Sequence, residues 1–172
     1  MGGGAAGHVP PVGHGDRELR AGPRGRERRA VSRSLPTRSE LLQACREDAP
    51  PSDHPVLLRA RALAELHVRR LRVGQAGVCD IDGRRARLIR DVDRWVGPRL
   101  PAARGGAYLH TESLGSVVDR LARLSACAYA AMADDQEWEL WFAWERLAEV
   151  AVAYEDLVTE LTSGRRRLPS AF

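Results

Sequence analysis

From residue 37 onward, apolar positions recur every three or four residues, and no stretch alternates with the period of two that a strand requires. The pattern predicts five helices. Thr37 and Glu40 have capping-box spacing ahead of Leu41, Leu42 and Ala44, which gives a short first helix over about 37–47. Asp53 is expected to cap a second helix, with Pro55 in its first turn, that runs to about Arg72. Asp80 is expected to cap a third, ended by Gly97-Pro98, and an irregular loop follows to His110. Thr111 is expected to cap a fourth helix reaching about Met132. Asp134 and Glu137 form a second capping box for the fifth and longest helix, which stops at Gly164 before a tail expected to fray. The fold class is therefore all-α: an antiparallel helical bundle over 37–167, with four long helices and one short N-terminal helix. Residues 168–172 are expected to be a frayed C-terminus.

Each helix has an apolar stripe, and a few polar residues fall inside those stripes. Val56, Ala60, Leu63, Ala64 and Leu71 make the second helix's stripe, with His67 among them. Ile81, Leu88, Ile89, Val92, Trp95 and Val96 make the third's, with Arg85 among them. The fourth helix is two-sided. Leu114, Val117, Val118, Leu121, Leu124, Ser125, Ala128 and Met132 form one face. Gly115, Ala122, Ala126, Ala130 and Ala133 form the other, with Glu112 and Asp119 among them. Small residues admit a close neighbour, so this helix is expected to be central and Asp119 partly buried. A buried carboxylate demands a partner. For His67 the alternatives are a satisfied core histidine or a pocket residue. For Arg85 they are a packed stem with a solvated head or an ion pair inside. Glu112 also suits the first turn of a helix electrostatically, and Asp119 with Arg120 also reads as a solvated pair. On the fifth helix, Trp138, Trp141 and Phe142 oppose the core stripe of Leu140, Leu147, Val150, Ala151, Tyr154, Leu157, Val158 and Leu161. They either cover the bundle end beneath the first helix or form an exposed association patch, which predicts a homodimer.

Composition changes the picture at the N-terminus. All 27 basic residues are arginine, and lysine and asparagine are absent, as a GC-rich genome would produce. Residues 1–36 hold seven arginines against three acids, a net of +4, while residues 37–172 balance 20 arginines with 20 acids. The first 36 residues carry eight Gly and four Pro, so they are expected to be a disordered tail. Nucleic-acid binding by the fold is disfavoured, leaving only weak phosphate contacts through that tail. Cys45, Cys79 and Cys127 form no disulfide framework and no metal pair, which suits a reducing cytoplasm. The longest apolar run, Leu124 to Ala133, is too short for a membrane span, and the N-terminus lacks the apolar core of a signal peptide.

Catalytic motifs are missing. The chain has no pair of Glu-x-x-His motifs for a di-iron bundle, no HExxH, no GxGxxG and no Walker A loop. GxSxG is absent too, and so are the Glu-Glu-x-x-Glu and Glu-x-x-Asp helices of all-helical nucleotide pyrophosphatases. No metal site is indicated, and the identity of any cofactor stays open.

The segment from Tyr108 to Leu121 nevertheless resembles the central element of a bacterial family catalogued as domain of unknown function 4254. Thr111, Glu112, Gly115, Ser116, Asp119, Arg120 and Leu121 match its Thr-Glu-Thr-Pro-Gly-Ser stretch and following Asp-Arg-Leu, with Leu114 at a common proline position. Arg85, Ile89 and Asp93 match an earlier helix of the family, where Ala86 and Arg87 replace an Asn and an acid. His67 resembles a family histidine, without the acids that usually follow it. The resemblance implies a helical protein and no particular activity. The candidate polar pocket is therefore His67, Arg85, Asp93, His110, Thr111, Glu112, Asp119 and Arg120. The sequence favours a non-catalytic interaction or structural module over a small-molecule or anion-binding protein, hydrolytic or not, built on that pocket.

Overall fold

The computed structural model describes residues 1–4, 34–46, 48, 52–73, 77–132 and 137–169. Most of the tail expected to be disordered lies outside these residues, as do Asp134 with its capping box and the last three positions. The helices are α1 (Arg38–Ala44), α2 (Pro55–Arg72), α3 (Val78–Val96), α4 (Leu114–Ala131) and α5 (Glu137–Thr162). A 3-10 turn, Gly97–Arg99, follows α3. Among the described residues the fold is all-α, with four long helices and a short one ahead of them, as the apolar periodicity predicts.

α4 is the centre of the bundle. It packs against α2, α3 and α5, whereas α5 has no comparable contact with α2 or α3. Both of its sides are covered: Leu114, Val118, Leu121 and Ala128 are buried, and so are the small residues Gly115, Ala122 and Ala126. Ala130 and Met132, expected on those faces, are exposed, and Ala133 lies outside the described residues. Leu71 likewise leaves the expected stripe and faces solvent at the end of α2. α1 closes one end against α2, α4 and α5 through Leu41 and Ala44. The segment before it is tied down by Tyr154, whose hydroxyl donates to the Pro36 carbonyl at 2.8 Å.

The caps show where local chemistry yields to packing. Thr37 and Glu40 form the expected capping box. α2 is capped by His54 and not by Asp53. The His54 Nδ1 accepts from the Val56 N–H at 3.2 Å, and its Nε2 lies 2.9 Å from the Ser34 carbonyl. The buried His54 ring also meets Trp95 edge-on at 4.9 Å, and that packing selects it as the cap. α3 starts at Val78, two residues before Asp80, and Asp80 instead pairs with Arg84 one turn on. α4 is capped by Ser113, which accepts from the Ser116 N–H, and not by Thr111.

The cause of that last shift lies at the chain's other end. Tyr108–Leu109 (β1) pairs in parallel with Arg166–Arg167 (β2), and the His110 N–H donates to the Arg167 carbonyl at 2.8 Å. Residues 108–110 are thus held extended, and Thr111 cannot turn back as a cap. Fraying therefore does not begin at Gly164. Gly164 takes the left-handed conformation, φ +70°, that ends α5. The Gly164 N–H reaches the Leu161 carbonyl and the Arg165 N–H the Glu160 carbonyl, a Schellman closure. Leu168 then packs against the core.

Candidate functional site

Three helices deliver one polar group each to the interior beside α4. His67 follows Ala60, Leu63 and Ala64 on the stripe by which α2 is buried, so its ring can only face inward. Arg85 follows Ile81 by one turn on α3. Asp119 follows Gly115 by one turn on the small-residue side of α4, where neighbouring backbones come close.

Asp119 is almost fully enclosed, at 8% exposed, and its charge is fully engaged. The His67 Nε2 lies 2.9 Å from its Oδ1. Arg85 grips it in two places, Nε to Oδ1 at 3.1 Å and Nη2 to Oδ2 at 2.6 Å, the fork geometry for which a guanidinium is shaped. Burial alone would push the carboxyl upward. The hydrogen bonds from His67 and Arg85 outweigh it and hold the group down at about 2. The carboxylate is therefore ionised at neutral pH and only accepts, so the proton on this edge of the imidazole sits on His67 Nε2. Arg85 also donates from Nη1 to Asp82 at 2.8 Å, and Asp82 takes a second ion pair from Arg70. The result is a chain, His67–Asp119–Arg85–Asp82–Arg70, that ties α2, α3 and α4 together.

The cluster answers the alternatives left open by the sequence. Arg85 pairs inside, and Asp119 is no solvated partner of Arg120. Arg120 pairs with Glu112 at the surface. Glu112 thus stands outside the cluster, because it precedes α4 and the loop directs it away. Asp93 sits at the start of α4, accepting from the Gly115 N–H at 2.7 Å. His110 is engaged by its backbone with the C-terminal strand. Thr111 is exposed. Two members, Asp82 and Arg70, were not among the predicted residues. The Asp82/Arg85 spacing of three on one helix was the available signal for the first.

The cluster is not lined up along a shared open chamber. His67 contributes to a cleft of about 260 Å³ with Arg70, Leu71, Arg123, Ala126 and Cys127, and neither Asp119 nor Arg85 lines it. Trp138, Trp141 and Phe142 lie far along the chain on the outward side of α5, about half exposed or more, with ring centroids 6.2 and 5.0 Å from Phe142 to the two tryptophans. Trp144 is also exposed and meets Tyr129 edge-on at 5.4 Å. Among the described residues no helix is long and apolar enough to cross a membrane.

Comparison with known proteins gives one family. The profile described as "Protein of unknown function (DUF4254)" matches residues 75–170, which includes Arg85, Asp93 and Asp119 and leaves His67 outside. No curated protein and no solved structure matches the chain.

Proposed function

The chain belongs to the DUF4254 family, and from that premise we propose that it is a non-catalytic helical interaction module acting in the cytoplasm, with a homodimer formed through the aromatic surface of α5. One observation carries the non-catalytic reading: every charged group of the central cluster is spent on another. Asp119 takes three donors, Arg85 serves two carboxylates, and Asp119 is buried on the small-residue side of α4. Such a cluster fixes helix register, the best-supported use of buried charge. Three unpaired cysteines suit a reducing compartment. The test is a thermal-shift series with divalent metals, nucleotides and phosphorylated sugars on wild type and Asp119→Ala. The expected result is no ligand-induced shift and a large stability loss in the variant. A ligand shift in wild type that disappears in the variant overturns the reading. For self-association, light scattering is expected to show a concentration-dependent rise in mass. A monomer at high micromolar concentration overturns it.

A second reading, anion binding, is favoured by the cleft at His67, which Arg123 lines beside Arg70, itself paired with Asp82. Inorganic phosphate is the probe: a shift of Tm that Arg123→Ala removes supports this reading, and its absence counts against it.

A further inference from the structure

The balance of 20 arginines and 20 acids over the folded part conceals a separation of charge. Residues 55–96, which hold α2 and α3, carry ten arginines and five acids, a net of +5. Residues 137–162, which form α5, carry seven acids and one arginine, a net of −6. Because α4 lies between them, these are separate faces.

Each face also has apolar surface of matching kind. Between α2 and α3 runs a groove of about 350 Å³. Its floor is Ala62, Leu66 and Leu88, and Arg69, Arg84 and Arg87 stand exposed on its rim with one acid, Glu65, which is paired with Arg61. Arg84 is paired with Asp80, but among the described residues neither Arg69 nor Arg87 has an ion-pair partner. On the outward side of α5, Trp138, Trp141, Glu145 and Val152 recur at helical spacing with Phe142 and Glu149 beside them, and all are exposed. That is an aromatic ridge flanked by carboxylates. Three aromatic rings about half exposed offer on the order of 300 Å² or more, given that each such side chain covers about 150–250 Å². A typical partner surface is about 800 Å², so the rings supply its centre and the flanking charges its rim.

We infer that α5 of one copy docks by its Trp138/Trp141/Phe142 ridge into the α2–α3 groove of a second copy, with Glu145 and Glu149 meeting Arg69 and Arg87. This inference rests on the self-association proposed above and names its geometry: ridge to groove, and not ridge to ridge. It is a helix-in-groove contact between unlike faces, so a pair of copies is left with one free ridge and one free groove and can add further copies.

Mixing decides it. Trp141→Glu spoils the ridge and leaves the groove intact. Arg69→Glu/Arg87→Glu spoils the groove and leaves the ridge intact. Both sites are at the surface, and circular dichroism checks that each variant is folded. Each variant alone is expected to associate at least tenfold more weakly than wild type by light scattering. Mixed in equal amounts, they are expected to form a complex of two chains that grows no further, and sodium chloride is expected to weaken it. If Trp141→Glu dissociates the protein, the groove variant associates like wild type and mixing restores nothing, ridge-to-ridge pairing is correct: the inference falls and self-association stands. If wild type stays monomeric throughout, both fall. A monomer whose Arg69 and Arg87 respond to a single-stranded oligonucleotide assigns the groove to polyanions and also overturns the inference.

Discussion

Gly115 and Ile89 approach so closely that a β-carbon built on the glycine would lie 2.4 Å from the Ile89 carbonyl oxygen. The neighbour is backbone and cannot swing aside. The closeness is what lets Asp93 reach the Gly115 N–H from the facing helix. In an open helix Gly→Ala stabilises by up to about 1 kcal/mol. Here overpacking, roughly 1–3 kcal/mol, is expected to win. Gly115→Ala should therefore lower the urea midpoint, while Gly83→Ala on α3, where a new β-carbon meets nothing within 4 Å, should raise it. The same chemical change with opposite signs separates contact from propensity.

Removing Asp119 is expected to be the most damaging polar substitution. Asp119→Ala leaves His67 and Arg85 facing each other without an acceptor, and breaking a buried pair costs about 3–5 kcal/mol. Asp82→Ala takes an acid that is far more exposed, and a much smaller loss is expected. Chemical denaturation of both variants checks the contrast. Equal losses would mean that the buried end of the chain is no more important than the wet end.

Acid should find the same group. The Asp119 carboxyl is held at about 2 in the fold, against an ordinary value near 3.8. Protons therefore bind the unfolded chain more readily, and this contribution is complete above the ordinary value and disappears as pH falls from about 4 towards 2. The urea midpoint of wild type should drop steeply across that window. In Asp119→Asn the drop should be shallower, although the variant starts from a lower midpoint. Parallel profiles would show that other carboxylates carry the acid transition.

Thiol chemistry reports the core directly. Cys45 is buried, and burial pushes its thiol up to about 12. Cys79 is exposed and Cys127 half-buried. At pH 8 an aromatic disulfide reagent should label Cys79 quickly and Cys127 more slowly, while Cys45 reacts only as the protein unfolds. Rapid reaction at Cys45 without denaturant would contradict the packing of α1 over α2.

Tyr154→Phe removes the hydroxyl that holds Pro36 and leaves the ring in place. A loss of about 1 kcal/mol is expected, a normal hydrogen bond's net worth. Hydrogen exchange should locate it in α1, with α2 and α4 unchanged.

Much of this was legible in the sequence, for physical reasons that differ by element. The two-sided pattern of α4 required neighbours on both flanks, and they are there. His67, Arg85 and Asp119 announced themselves because each occupies a position that helical geometry sends indoors. Glu112, Thr111 and His110 gave no such signal. They lie ahead of α4, in backbone whose direction is set by pairing with residues more than fifty positions later. The caps at Asp53, Asp80 and Thr111 were misplaced by one to three residues, and at Asp53 and Thr111 for a similar reason: a ring packed on Trp95 or a strand pulled by Arg167 outweighs an intrinsic preference. The charge separation between α2–α3 and α5 was hidden by a regional sum of zero, since a total carries no positions.

The pairing of residues 108–109 with 166–167 has a temporal consequence during synthesis. The connection preceding α4 leaves the ribosome more than fifty residues before the segment that anchors it. On the nascent chain, α4 emerges while its entry is still loose. The clasp closes only when the far side of α5 has emerged, so a stall or truncation just after Thr162 would yield a bundle with every helix present and an unfastened hinge at the doorway of its central rod.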